Sequence, residues 1–147
     1  MTIDRNDPRL RAADLSESEF VGSLILHPDT GEDLLEVYRE IAPWRTVPAQ
    51  HLIEPRDGYE LRCNPKPRSE PQVFLVFEGQ LAGVFEGDTL TIGSDHRGLH
   101  LSRELILAGF AQAPWKDIKD RKVTVAGAAA LRSAYKFARE MTASERM

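Results

Sequence analysis

Asp95-His96-Arg97-Gly98-Leu99-His100-Leu101-Ser102-Arg103-Glu104-Leu105-Ile106 decides the fold, because it sets an Arg-Gly turn between a strand pattern and a helix pattern. Before it, Thr89-Leu90-Thr91-Ile92-Gly93 alternates β-branched and apolar side chains as a strand does, and after it apolar residues recur at helical spacing. A helix that opens directly after a strand presents unpaired backbone N–H groups at the junction, with the positive end of its dipole behind them. A phosphate fits such a place. The other reading of the same residues is a polar strand-to-helix turn with no ligand.

Outward from the junction, the chain reads as extended on one side and helical on the other. Tyr59-Glu60-Leu61-Arg62-Cys63 alternates apolar and polar residues, Gln72 to Phe77 is β-branched and aromatic, and Glu78-Gly79-Gln80 turns tightly into Leu81 to Phe85. With Thr89 to Gly93 these runs predict an antiparallel meander. The spacing after the junction predicts an amphipathic helix ending near Phe110-Ala111, with Leu101, Leu105, Ile106 and Gly109 on one face. Beyond it, Lys122-Val123-Thr124-Val125 reads as a short strand and Ala128 to Met141 as a helix. Nearer the start, Asp14 to Phe20 carries a helix cap with acidic first-turn residues, and Leu34, Leu35, Tyr38 and Ile41 mark one face of a second helix. Residues 1 to 13 read as a loose polar arm around Asp7-Pro8, and 42 to 57, with Pro43, Pro48 and Pro55, as an irregular connection. The expectation is an α/β protein of the α+β kind: one domain over residues 14–147, with a mixed, mainly antiparallel central sheet flanked by helices.

Length and composition agree. A chain of 147 residues with 41% apolar and 29% charged residues suits one soluble globular domain. Its longest apolar runs, such as Val73 to Phe77, fall far short of the about 20 residues that span a bilayer. Met1 to Asp7 has no basic start followed by an apolar block, so the expected location is cytoplasmic. Cys63 is the single cysteine, which excludes an internal disulfide and a metal site of paired thiolates; it reads as a half-buried strand residue. The net charge of −4 divides unevenly, −9 over residues 1–96 and +5 over 97–147. The basic half suits a polyanionic ligand, with Lys116, Lys119, Arg121 and Lys122 as further contacts, or is an ordinary solvated surface. Nucleic acid fits poorly, because the basic cluster lacks interleaved aromatic residues and the whole chain is acidic.

Arg97-Gly98-Leu99-His100-Leu101-Ser102, followed by Glu104-Leu105-Ile106, resembles the acyl-CoA pyrophosphate loop of the GNAT superfamily of N-acetyltransferases. Arg97 stands at the first motif position, His100 where that loop has its first glycine, and Ser102 at the second small residue. Gly79 to Val84 looks like the hairpin that precedes the loop in the family, so the resemblance covers roughly residues 70 to 140. It implies acetyl-CoA as cofactor and an amine acceptor, a small molecule or a protein. The implied cofactor-binding residues are Arg97, Gly98, Leu99, His100, Leu101, Ser102 and Arg103 around the pyrophosphate, with Thr91 and Ile92 beside the acyl and pantetheine end. The family sheet continues past the last helix with two closing strands. The expectation is therefore a sheet trimmed there or completed by the N-terminal segment, and an uncovered edge is a place for a protein partner or a second copy of the chain.

Acetyl transfer also needs a proton acceptor for the amine and a proton donor for the thiolate. Glu86 and Asp88 precede the strand that leads into the loop, where GNAT-like proteins often carry a carboxylate; Glu86-Gly87-Asp88 reads equally as a hairpin turn. Tyr135 in Ala134-Tyr135-Lys136-Phe137 resembles the tyrosine that the family places near the sulfur, or it is core packing with Leu131. The Gly-Phe that follows that tyrosine in the family does not occur here. His96 and His100 have the spacing of a metal-binding pair on a helix, yet no third ligand accompanies them, so no metal site is expected. Two functions follow as expectations. One is an acetyl-CoA-dependent N-acetyltransferase; the alternative is a non-catalytic binding or inhibitory protein on a GNAT-like scaffold, acting through protein contacts.

Overall fold

A computed structural model describes residues 7–23, 26–29, 31, 33–64, 66–67, 69–113 and 124–145. The central strand is β4 (Gln72–Phe77), whose run of apolar residues is buried on both faces: Val73 and Leu75 enter one core, Phe74 and Val76 the other. Around it, β3 (Tyr59–Arg62), β5 (Gln80–Glu86) and β6 (Thr89–Ile92) pair antiparallel, as the meander reading expects. The positive φ of Glu78 (48°) and Gly79 (80°) supports the tight turn between β4 and β5. Two short strands complete a six-stranded sheet, β1 (His27–Asp29) lying parallel on β6 and β2 (Ala49–Gln50) antiparallel on β3. The N-terminal segment thus takes the β6 edge. The fold is α+β, with a mostly antiparallel open sheet.

One face of the sheet is covered by α3 (Ser102–Gln112), which is itself covered by α4 (Val125–Glu145) and a 3-10 helix over Pro8–Asp14. Buried on every side, α3 is not the amphipathic helix expected: Glu104 through Phe110 are all buried, and so is Gln112. Its predicted apolar face is real but does not end at a solvated one. The opposite face of the sheet carries α2 (Asp33–Ile41) and a 3-10 turn over Pro43–Thr46, which pack Leu35 and Trp44 on Phe74, Val76, Leu81 and Val84. Ile41, placed with the buried face by its spacing, is 64% exposed.

The loose-arm reading of residues 1–13 fails from Pro8 onward. Asp7 caps the 3-10 helix by accepting the Arg9 N–H at 2.9 Å, Pro8 stands where a missing N–H costs nothing, and Leu10 and Ala12 are buried against α3 and α4. Residues 1–6 lie outside the described residues. The expected early helix is α1 (Glu17–Val21), closed by a capping box in which Ser16 and Glu19 satisfy each other's backbone N–H. Lys122 and Val123 of the expected short strand are outside the described residues, and Val125 opens α4. Among the described residues, no helix is long and apolar enough to cross a membrane.

Candidate functional site

The β6–α3 junction is built as expected, a strand followed by a 3-10 turn over Ser94–His96, a loop and a helix. Gly98 (φ 80°) and His100 (φ 59°) are both left-handed, so the histidine at the expected glycine position does adopt a glycine-like backbone. Leu101 turns back into the core, with 2% of its surface exposed, and anchors the loop; Gly98, Leu99 and His100 face solvent. Arg97 is exposed, and its Nε donates to the Ile92 carbonyl at 3.0 Å, which folds the guanidinium stem back on its own strand. Leu101 stands before α3 without a side-chain cap, and Ser102 begins the helix.

Arg103 is held. Its Nη2 donates to Glu54 Oε2 at 3.0 Å, and its guanidinium lies 3.8 Å from the centre of the Phe137 ring. The next residue, Glu104, turns its carboxylate to the backbone N–H groups of Ile53 and Glu54. Burial pushes its carboxyl above the ordinary value, and those two hydrogen bonds with the charges of Arg9 and Arg103 offset only part of that.

Beside the loop, Thr91 is fully buried on the α2 side of the sheet, its hydroxyl without a partner among the described residues, and Ile92 is half-buried. The edge of β6 is taken through Thr91 by β1, whose Asp29 stands opposite it in register. An acyl chain laid along that edge would compete with β1 for the same backbone groups.

Of the proposed proton-transfer groups, Glu86 and Asp88 flank the β5–β6 turn, whereas Tyr135 lies on α4. Glu86 ends β5, and its carboxylate accepts the Tyr38 hydroxyl from α2; burial and the nearby carboxylate push Tyr38 up to about 12. Asp88 sits in the hairpin turn opened by Gly87 (φ 60°), where its carbonyl accepts the His27 N–H at 2.6 Å and its carboxylate the Thr89 hydroxyl at 3.1 Å. Glu86-Gly87-Asp88 forms the hairpin turn between β5 and β6. Tyr135 packs on Phe20, with ring centres 5.9 Å apart, and its hydroxyl donates to the Leu15 carbonyl at 2.7 Å.

His96 and His100 do not share a helix face, because the 3-10 turn ends at His96 and the chain then reverses through left-handed residues. His96 Nδ1 instead meets the Tyr59 hydroxyl at 2.6 Å, inside an aromatic group with Phe77. No group of three potential metal ligands occurs among the described residues. Lys116, Lys119, Arg121 and Lys122 lie outside them.

Sequence reasoning passed over the Asp7–Arg9 pair. Arg9 Nε and Nη2 grip the two Asp7 oxygens at 3.0 and 2.7 Å, and Nη1 donates to the His51 carbonyl at 2.6 Å. Burial alone would raise the Asp7 carboxyl; the Arg9 hydrogen bonds and charge outweigh it and hold the group below its ordinary value. The signal was available in Asp7-Pro8, a capping residue followed by the proline that favours a first helical turn. Nearby, burial pushes the Cys63 thiol up to about 11, which leaves it protonated and slow to react at neutral pH.

The architecture defines an α+β protein with a strand-loop-helix junction at one end of α3. No family model matches the chain, and no curated protein or solved structure matches it with significance.

Proposed function

We propose that the chain is a non-catalytic binding protein, working by contact with a partner molecule rather than by group transfer. The observation that carries this reading is that two of the three candidate proton-transfer groups, Tyr135 and Glu86, are hydrogen-bonded to partners elsewhere in the fold. The Tyr135 hydroxyl is bound to the Leu15 carbonyl and the Glu86 carboxylate to Tyr38. Freeing either means breaking a partly buried hydrogen bond, at a cost of about 1 kcal/mol each. The pairing of β1 along β6 supports the same reading.

A second reading, transfer of an acetyl group from acetyl-CoA to an amine acceptor, draws on one observation, the left-handed backbone at Gly98 and His100 in front of α3. Calorimetric titration with acetyl-CoA separates the two. The binding-protein reading expects no saturable heat from the unmodified protein; micromolar binding would overturn it and call for a screen of amine acceptors. Binding by a His100→Gly variant alone would mean that the imidazole closes a cradle the backbone otherwise forms.

A further inference from the structure

A pocket of about 400 Å³ opens at the other end of α3, where that helix meets the 3-10 helix of residues 8–14 and the β2–β3 edge of the sheet. Its volume falls at the small end of ligand sites, which run from about 300 to 1,000 Å³. The recess exists because the helix presents Ala108 and Ala111 there, among neighbours as large as Leu107 and Phe110, while Cys63 on the strand side is equally small.

Three polar side chains of the wall, Gln112, Arg9 and Asp7, are held by hydrogen bonds. Gln112 Oε1 accepts the Gln72 N–H at 2.8 Å and its Nε2 donates to the Asn64 carbonyl at 2.9 Å, so this side chain ties β4 to the segment after β3. Arg9 is clamped by both Asp7 oxygens and by the His51 carbonyl. A wall held in this way loses little freedom when a ligand enters.

Charge and donor capacity then select the ligand. The Arg9 charge is cancelled by Asp7 at 2.7 Å, and a carboxylate or phosphate brought beside Arg9 would also face the Asp7 carboxylate. A bare ammonium would face Arg9. Of the guanidinium's five N–H donors, three are used by Asp7 and His51, and the other two have no acceptor among the described residues, which suits an uncharged acceptor. We infer that this pocket binds an uncharged, largely apolar small molecule that carries a carbonyl-type oxygen, its body over Ala108, Ala111 and Cys63 and its oxygen toward Arg9. The site is independent of the loop at the start of α3, about 14 Å away along the helix, so it stands whether or not acetyl-CoA binds there.

The probe is prodan, an uncharged naphthyl ketone whose emission shifts to the blue in apolar surroundings, set against the anionic naphthalene sulfonate ANS. The expected result is one saturable prodan site with a Kd below roughly 100 μM and at least about tenfold weaker ANS binding. Ala111→Trp, which fills the recess, should weaken prodan about tenfold or more; if circular dichroism shows that variant unfolded, Ala111→Leu takes its place. No saturable prodan site, ANS bound as tightly as prodan, or prodan binding indifferent to the Ala111 substitution would each overturn the assignment. None of these outcomes bears on acetyl-CoA, which is titrated separately.

Discussion

Glu104 holds Ile53: the carboxylate in the first turn of α3 accepts the Ile53 backbone N–H at 2.7 Å, and that of Glu54 at 3.0 Å. The side chain is 2% exposed, so it clips the segment between β2 and β3 onto the helix from inside the protein. Glu104→Ala would leave the Ile53 N–H without an acceptor in a buried place. We expect a loss of about 3 kcal/mol, since hydrogen bonds to charged groups and stranded buried donors each cost about 1–3 kcal/mol. Glu104→Gln keeps one acceptor and should lose about half as much. Urea unfolding measures both, and an Ala variant within about 1 kcal/mol of the parent would show that the carboxylate does not act as the clip.

His100 has a left-handed backbone (φ 59°) and an exposed side chain. That conformation costs an L-residue about 1–2 kcal/mol, whereas glycine adopts it freely at an entropic cost of about 0.5–1 kcal/mol. His100→Gly should therefore stabilise the protein by about 0.5 kcal/mol, seen as a small rise in the thermal midpoint. A lower midpoint would mean that the imidazole makes a contact worth more than the strain.

Local patterns were legible and long-range ones were not. The strands β3 to β6 follow from alternation and from the Glu78-Gly79-Gln80 turn, because hairpin pairing is set by neighbouring residues. His27-Pro28-Asp29 has no strand pattern of its own; it is a strand only because the far-off β6 offers it a parallel edge. The same limit explains α3. Its apolar residues are spaced for one face, but what lies against the other depends on α4 and on Pro8–Asp14, elements distant in sequence. At the candidate site, the order of strand, turn and helix was readable from Thr89 to Ile106, while the engagement of Tyr135 by Leu15 and of Glu86 by Tyr38 joins residues too distant for any spacing to reveal.

Tyr38 gives a prediction in alkaline solution. Burial and the Glu86 carboxylate raise its phenol from the ordinary 10.0 to about 12, so the folded state favours the neutral form. A phenol whose folded value lies above the unfolded one contributes its stability in full below pH 10 and loses it as pH rises from 10 toward 12. Tyr38→Phe should cost about 1 kcal/mol at neutral pH, a single partly exposed hydrogen bond. The gap between parent and variant should narrow across that alkaline window. Spectrophotometric titration of tyrosinate in the two proteins checks the assignment: the variant should lack the transition near 12, and a parent in which no tyrosine titrates that high would refute it.

Gly109 reverses the usual rule for a glycine in a helix. At an exposed site Gly→Ala would stabilise by about 1 kcal/mol. Here a Cβ would stand 2.7 Å from Phe85 Cε2 and 3.0 Å from Pro71 Cβ, closer than carbon atoms approach, because α3 lies directly on the ring at this point. The overpacking term, about 1–3 kcal/mol, exceeds the propensity gain, so Gly109→Ala should destabilise by about 1–2 kcal/mol. The cause can be separated from a general helix effect by a second substitution. Phe85→Leu alone opens a cavity in a fully buried site and weakens the protein, but combined with Gly109→Ala the shorter side chain makes room for the new methyl. The double variant should therefore be more stable than the sum of the two single losses by about 1 kcal/mol, and strict additivity would place the strain elsewhere.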